Sequence, residues 1–272
     1  MVQKPNFVPV SRDRHGGLFW YPPRDWRFAT NSIVAALALA EIPRAALALP
    51  IAFRREGQEV VPVAFLGFEA GQNLFVDEAG RWLGSYIPAT FRGYPFALAA
   101  IESSGKLILC VDEGSNAVAE EGPERFFEPD GSLSPKLSRL LEFLRATIAS
   151  QQAARQAAGR LGAAGLLEPW PLVVRRSEGD AEIAGLWRVA EAKLVELDGD
   201  TLKALMTSGT MSLAYCQLLS MQHTSRLEEL HQHYRAAARR LAETMKASLK
   251  VEEPLAFDWS SLSDPLANTK SF

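Results

Sequence analysis

The first 130 residues leave no room for the crossover helix that a βαβ unit needs after each strand. Short apolar runs alternate there with clusters of Gly, Pro, Asp and Glu, which is typical of strands separated by turns. A parallel pair of strands needs a crossover of a dozen or more residues, usually a helix. The spacing therefore excludes an alternating parallel sheet and favours antiparallel strands. The runs predicted to form strands are 48–53, 60–66, 82–87, 96–101 and 107–111.

Two long helical regions are predicted in the second half of the chain. Ser134 is a suitable N-cap, and Pro135 suits the first helical position because its missing N–H is not needed there. Apolar residues then recur at helical spacing, which predicts a helix from Pro135 to about Arg160. A second helical region is predicted over 201–250, and Gly209 is the point at which it can break.

These elements predict an α+β fold, in which a strand-rich N-terminal body carries two long helical regions from the C-terminal half. We expect the body to span 1–130 and the helical part 131–250, with a two-stranded insert at 172–189 that turns at Gly179–Asp180. Residues 251–272 are predicted to form a loosely ordered tail with an anchor at Trp259.

Charge and hydropathy exclude several classes of protein. The 29 basic and 32 acidic residues give a formal charge of −3, which does not favour nucleic-acid binding. The apolar stretch 33–53 is interrupted by charged residues and prolines, so no membrane span is predicted. The N-terminus lacks the pattern of an export signal, and Cys110 and Cys216 lie in apolar segments. We therefore expect a cytoplasmic protein with two free thiols.

Motifs that would identify a reaction are absent from the sequence. There is no phosphate-binding loop, no nucleophile elbow and no HExxH zinc motif. His231 and His233 lie about 200° apart around a helix, so they cannot bind one metal together. The sequence predicts neither a metal site nor a cofactor.

The stretch 66–98 combines aromatic, polar and charged side chains with five glycines. Such residues can line a ligand pocket. They can equally form a buried network in which Arg92 pairs with Asp77 or Glu69. The ligand-binding candidates, to which His15 is added, are Glu69, Asn73, Asp77, Trp82, Tyr86, Arg92 and Tyr94.

The predicted C-terminal helix is basic and carries an apolar seam. Between 201 and 250 there are seven bases and three acids. A basic helix with an apolar seam can pack on its own body, on a second copy or on a partner protein. The candidate interface residues are Leu227, Leu230, Tyr234 and Leu241.

Several segments in a fixed order resemble the SapC family of bacterial proteins. They include AEIPRAALALPIAF (40–53), NLFVDEAGRW (73–82), YIPATFRGYPFAL (86–98), RFFEPDGSLSP (125–135) and GLWRVAEAKL (185–194). His15 falls where members of this family often have a histidine near the start.

The resemblance implies an association with surface-layer (S-layer) protein secretion and with peptide uptake. It also implies genetic proximity to TonB-dependent receptors, flavin-dependent halogenase-like proteins and cupin-like oxygenases. An accessory role in nutrient uptake or small-molecule modification follows. The family brings no agreed catalytic residues.

Two functional hypotheses remain at this point. The first is a non-catalytic accessory protein that binds a partner protein or a small ligand such as an amino acid, a peptide or a sugar. The second is a hydrolase or tailoring enzyme acting on a peptide or amino acid through Glu69, Asp77, Tyr86 and Arg92, with help from His15. The enzyme requires these groups within about 5 Å of one another in a cleft open to solvent.

Overall fold

The computed structural model describes residues 5–101, 105–174 and 181–248. The chain divides into two compact units, Met1–His231 and Gln232–Phe272. The turn predicted at Gly179–Asp180 and the tail predicted at 251–272 with Trp259 lie outside the described residues.

The strands are short and most of them lie in the first half of the chain. They are β1 (Phe7–Pro9), β2 (Phe19–Trp20), β3 (Val34–Ala36), β4 (Ile51–Glu56), β5 (Glu59–Phe65), β6 (Phe96–Ala100), β7 (Leu107–Asp112), β8 (Val118–Ala119), β9 (Glu124–Arg125), β10 (Leu167–Pro169), β11 (Leu172–Val174), β12 (Ala181–Ile183) and β13 (Leu186–Val189).

The longer helices follow in the second half. The helices are α1 (Arg12–His15), α2 (Ile42–Ala45), α3 (Ala89–Arg92), α4 (Pro135–Ala163), α5 (Glu191–Leu194), α6 (Gly199–Thr207), α7 (Thr210–Ser220) and α8 (Thr224–Ser248). Short 3₁₀ turns cover Arg27–Ala29, Leu39–Glu41, Glu113–Ser115 and Met221–His223.

A five-stranded antiparallel sheet in the order β10-β13-β4-β5-β3 holds the main core. Its central hairpin pairs Glu56 with Glu59, and Gly57 takes the positive φ of 61° that the tight turn requires. Phe53, Val63 and other residues of β4 and β5 are fully buried. The pairing of β13 with β4 joins the C-terminal half to the N-terminal strands.

Helix α4 packs against both hydrophobic cores of the first unit. Ser134 accepts a hydrogen bond from the Leu137 N–H at 3.4 Å, as expected of an N-cap. The first half of α4 contributes Leu137 to a second core, which also contains Trp20 and Phe126. Its second half contributes a face of small residues to the main core. The small residues are Ala157 and Ala158, and Leu161 lies beside them; all three have no exposed surface.

The second core lies under two further antiparallel sheets of three strands each. Their orders are β1-β7-β6 and β8-β2-β9. Antiparallel pairing in every sheet, together with the long C-terminal helices, confirms the predicted α+β class.

Some predicted elements are wrong in detail. Residues 82–87 form no strand, because Trp82 makes a single bridge to Val76 and its indole N–H then bonds the Tyr86 carbonyl at 2.8 Å. The insert predicted as two strands contains β11 and β12 and also forms β13. The predicted break is present, since Gly209 has a φ of 72° and separates α6 from α7.

We predict that Ala157→Leu lowers the free energy of unfolding by about 1–3 kcal/mol, because the small-residue face of α4 has no space for a larger side chain. Ala149→Leu, on an exposed position of the same helix, should change it by no more than about 0.5 kcal/mol. Denaturant titration of both variants measures this difference. Equal effects would show that this face is not tightly packed.

Candidate functional site

The most concentrated polar group in the candidate stretch is centred on a carboxylate that sequence reasoning did not select. Glu41 ends the 3₁₀ turn Leu39–Glu41 and is 5% exposed. Its Oε1 accepts the Ala38 N–H at 2.8 Å, and its Oε2 accepts the Tyr86 hydroxyl at 2.8 Å and the Ala89 N–H at 2.7 Å. Three donors therefore satisfy one buried carboxylate.

Arg92 completes this group from the solvent side. Its Nη2 lies 3.9 Å from Glu41 Oε2 and 3.4 Å from the Tyr86 hydroxyl oxygen. The guanidinium also lies over the Phe143 ring at 5.2 Å, and the side chain is 42% exposed. Arg92 thus has a carboxylate partner, but the predicted partners Asp77 and Glu69 are wrong. Its exposure makes the pair much weaker than a fully buried one.

The hydroxyl of Tyr86 serves as a donor in this arrangement. Burial, followed by the hydrogen bond to Glu41 and the charge of Glu41, raises the pKa of Tyr86 to about 12. The phenol therefore keeps its proton at neutral pH. It orients the carboxylate and is not poised to abstract a proton from a substrate.

Aromatic rings connect this group to the next polar site. Trp82 stacks on Phe75 with centroids 5.6 Å apart and meets Trp26 at 6.3 Å. Phe28 stacks on Tyr94 at 3.8 Å with an angle of 11° between the rings. The candidate aromatic residues Trp82 and Tyr94 thus pack mainly on other rings of the protein.

Tyr94 belongs to a second carboxylate group. Its hydroxyl donates to Asp112 Oδ2 at 2.9 Å, while Asp112 Oδ1 accepts the N–H groups of Asn6 at 2.7 Å and Gly114 at 3.0 Å. Asp112 is 2% exposed. Burial, with Asp112 as the next cause, raises the pKa of Tyr94 to about 12. As in the Glu41 group, a buried carboxylate accepts one tyrosine hydroxyl and two backbone N–H groups. The bond from Asn6 links the segment before β1 to the end of β7.

His15 lies in a third, separate group. His15 Nδ1 lies 3.2 Å from the Ser11 nitrogen and 3.3 Å from the Ser11 carbonyl oxygen, and His15 Nε2 lies 3.2 Å from Glu113 Oε1. Arg14 binds both oxygens of Glu113 at 2.7 and 2.6 Å and, together with His15, lowers the pKa of that carboxyl. His15 itself has no exposed surface.

The remaining polar candidates of the stretch do not join these groups. Asp77 binds Arg81 in an exposed turn, where mainly the Arg81 backbone N–H lowers the pKa of Asp77. Asn73 is buried and bonds the Ala29 carbonyl at 3.1 Å and the Phe75 N–H at 3.0 Å. Glu69 is half-buried in the loop before Asn73.

The arrangement brings together only part of the acid–base set that the enzyme hypothesis requires. Tyr86 and Arg92 are neighbours, whereas Asp77 pairs with Arg81 and His15 pairs with Glu113. No three His, Cys, Asp or Glu side chains within 5–101, 105–174 and 181–248 could hold a metal ion.

The thiols and helices add no reactive or membrane-spanning feature among the described residues. Burial raises the pKa of both Cys110 and Cys216, so neither thiol is activated as a nucleophile. No helix in this described part of the chain combines the length and the apolar character that crossing a membrane requires.

The candidate interface residues of α8 have two different environments. Leu227 and Leu230 are buried in the main core, at 0% and 8% exposure. Tyr234 and Leu241 are 48% and 59% exposed. The sequence pattern predicted one continuous seam, and the structure places its first half in the core and its second half at the surface.

We predict that Glu41→Gln lowers the free energy of unfolding by about 2–4 kcal/mol, because the amide NH₂ group would face donors that need an acceptor. Glu56→Gln is the matched control, since Glu56 receives Arg54 and Arg155 at a side-chain exposure of 35% and should cost under about 1 kcal/mol. Denaturant titration compares them. If the two variants lost the same stability, the Glu41 carboxylate would not hold this region together.

Because the pKa values of Tyr86 and Tyr94 are raised, we predict that the free energy of unfolding falls at high pH. Each folded-state pKa of about 12 lies above the ordinary tyrosine pKa of about 10, so the neutral phenols stabilise the fold below about pH 10. This contribution should disappear as the pH rises from about 10 to about 12. The double variant Tyr86→Phe, Tyr94→Phe should show a flatter pH dependence of unfolding over that interval. An unchanged slope would contradict the two hydrogen bonds.

Comparison with known proteins places the chain in a family. A family model described as SapC matches residues 10–227. No curated protein and no solved structure matches the chain. The matched region contains Glu41, Asp112 and His15, and it ends at Leu227, the first residue of the α8 seam. Because the match covers well over half of the 272 residues, this protein belongs to the SapC family.

Proposed function

We propose that this SapC-family protein is a non-catalytic accessory protein that binds a partner protein through the exposed half of α8. One observation carries the proposal: a single apolar stripe on this helix is buried up to Leu230 and exposed beyond it. Tyr234, Leu241 and Met245 are 48%, 59% and 59% exposed. Aligned apolar side chains on a soluble protein mark a surface for association.

The stripe follows from the spacing of these residues. At about 100° per residue, Tyr234, Leu241 and Met245 fall within about 40° of one another around the helix axis. Ala238 lies beside them on the same face. The width of this face suits an amphipathic helix that inserts into a groove of another protein.

Basic side chains beside the stripe define the chemistry of the partner. Arg235, Arg239 and Lys246 also fall within about 40° of one another, next to the apolar face. Residues 232–248 hold four bases (Arg235, Arg239, Arg240, Lys246) and one acid (Glu243). A second copy would bring like charges together, which disfavours self-association. The favoured occupant is a partner protein with an apolar groove and an acidic rim.

The placement of the candidate catalytic groups supports a binding role over an enzymatic one. Asp77, His15 and Tyr86 each have a protein partner in a separate group. The resemblance to the family supports an accessory task in bacterial nutrient uptake or small-molecule modification. The free thiols of Cys110 and Cys216 support a cytoplasmic setting. These finer features belong to the proposal.

The proposal predicts that a photo-crosslinking residue at Leu241 captures a defined partner in the source bacterium, whereas the same residue at Glu243 on the polar face captures it poorly. With that partner purified, Leu241→Glu should weaken the affinity at least about tenfold. Leu47→Glu is the control, since Leu47 is an equally apolar and 78% exposed side chain outside α8. Titration calorimetry measures both variants.

Three results would contradict the proposal. Leu241→Glu could bind the captured protein as tightly as the unmodified chain does. The full chain could sediment as a stable dimer that Leu241→Glu dissociates, which would identify a second copy as the occupant. Anionic vesicles could bind the chain through the same residues, which would identify a membrane surface.

A further inference from the structure

A groove between α7 and the end of β13 has the size of a small-molecule site. Its volume is about 500 Å³, within the range of about 300–1,000 Å³ that is usual for ligand pockets. Helix α7 forms one wall and the turn from β13 into α5 forms the other. None of the ligand-binding candidates taken from the sequence lines it.

The walls of the groove present apolar and aromatic side chains to solvent. Leu218 and Met221 are half-buried members of the rim of the main core. Tyr215 and Leu219 are 53% and 66% exposed, one helical turn apart on α7. A small apolar body placed here would cover side chains that the fold leaves in contact with water.

The groove lining holds two acidic residues and one basic residue. Glu168 and Arg188 face each other across β10 and β13, and the Arg188 Nε–H donates to Glu168 Oε1 at 2.8 Å. Glu191 is the remaining charged residue of the lining. In the described part of the chain its carboxylate has no cation and no hydrogen-bond donor. The lining therefore carries one uncompensated negative charge.

We propose that this groove binds a primary ammonium compound with an apolar or aromatic body. The ammonium pairs with Glu191 and lies against the face of Tyr215, since aromatic rings attract cations. The apolar body covers Leu218, Leu219 and Met221. Free amines and the N-termini of short peptides share this chemistry, and the experiment separates them.

The test uses the full chain with ¹³C-labelled methionine methyl groups. Of its five methionines, Met221 lines the groove, while Met206 and Met245 are exposed elsewhere, at 64% and 59%. Titration with phenethylamine should shift the Met221 signal with a dissociation constant of about 1 mM and leave Met206 and Met245 in place. Leucinamide and the dipeptide Leu-Gly amide distinguish a free amine from a peptide N-terminus.

Matched ligands and variants test the ammonium pairing. Phenethyl alcohol, which has the same body without the charge, should bind about tenfold more weakly. Glu191→Lys should weaken phenethylamine binding about tenfold, because it reverses the uncompensated charge of the groove lining. Glu196→Lys makes the same change at an exposed position just beyond α5 and should have little effect. Tyr215→Leu should weaken the amine more than the alcohol.

The proposal is overturned if phenethylamine produces no saturable shift of Met221 at concentrations up to about 10 mM. It is also overturned if the amine and the alcohol bind equally, or if Glu191→Lys and Glu196→Lys have the same effect. If the methyl signals of Met206 and Met245 shift together with that of Met221, the amine adsorbs non-specifically and the proposal is overturned as well. Circular dichroism of each variant checks that the fold is retained.

Discussion

The carboxylate of Glu41 holds two distant segments of the chain together, residues 38–41 and residues 86–89. A charge removed from water costs several kcal/mol unless donors replace the lost hydration. At Glu41 the Tyr86 hydroxyl and the Ala38 and Ala89 N–H groups supply that replacement. The turn before α2 and the segment leading into α3 must therefore come together. Gln151 of α4 extends the connection through hydrogen bonds to the Ala36 carbonyl and to Thr90.

This constraint separates the parts of the protein that maintain the fold from those that face outward. Tyr86 and Tyr94 each donate to a buried carboxylate, and Trp82 packs between other aromatic rings. These three side chains, which the sequence suggested as ligand-binding candidates, instead contact other residues of the protein and hold its loops together. The surfaces that we propose for recognition lie elsewhere, on the exposed stripe of α8 and in the groove beside Tyr215.

The sequence was sufficient for features that depend on local physical rules. Antiparallel strands, the cap at Ser134 and the break at Gly209 follow from spacing, side-chain chemistry and glycine's conformational freedom. The partner of Arg92 could not be predicted, because Glu41 lies in a distant segment and only the tertiary fold brings it to Tyr86. The same limit applies to the α8 seam, since periodicity shows an apolar face but not where the core beneath it ends. The groove beside Tyr215 gave no sequence signal.

Amide hydrogen exchange tests most directly whether the Glu41 carboxylate organises this region. The amides of Ala38 and Ala89 donate only to Glu41 Oε1 and Oε2 among the described hydrogen bonds. The account predicts that both amides exchange through global unfolding, at the free energy found by denaturant titration. It also predicts that Glu41→Gln accelerates exchange at these two amides more than at the other protected amides of the main core. Rapid exchange of both amides in the unmodified protein, or equal protection after Glu41→Gln, would contradict it.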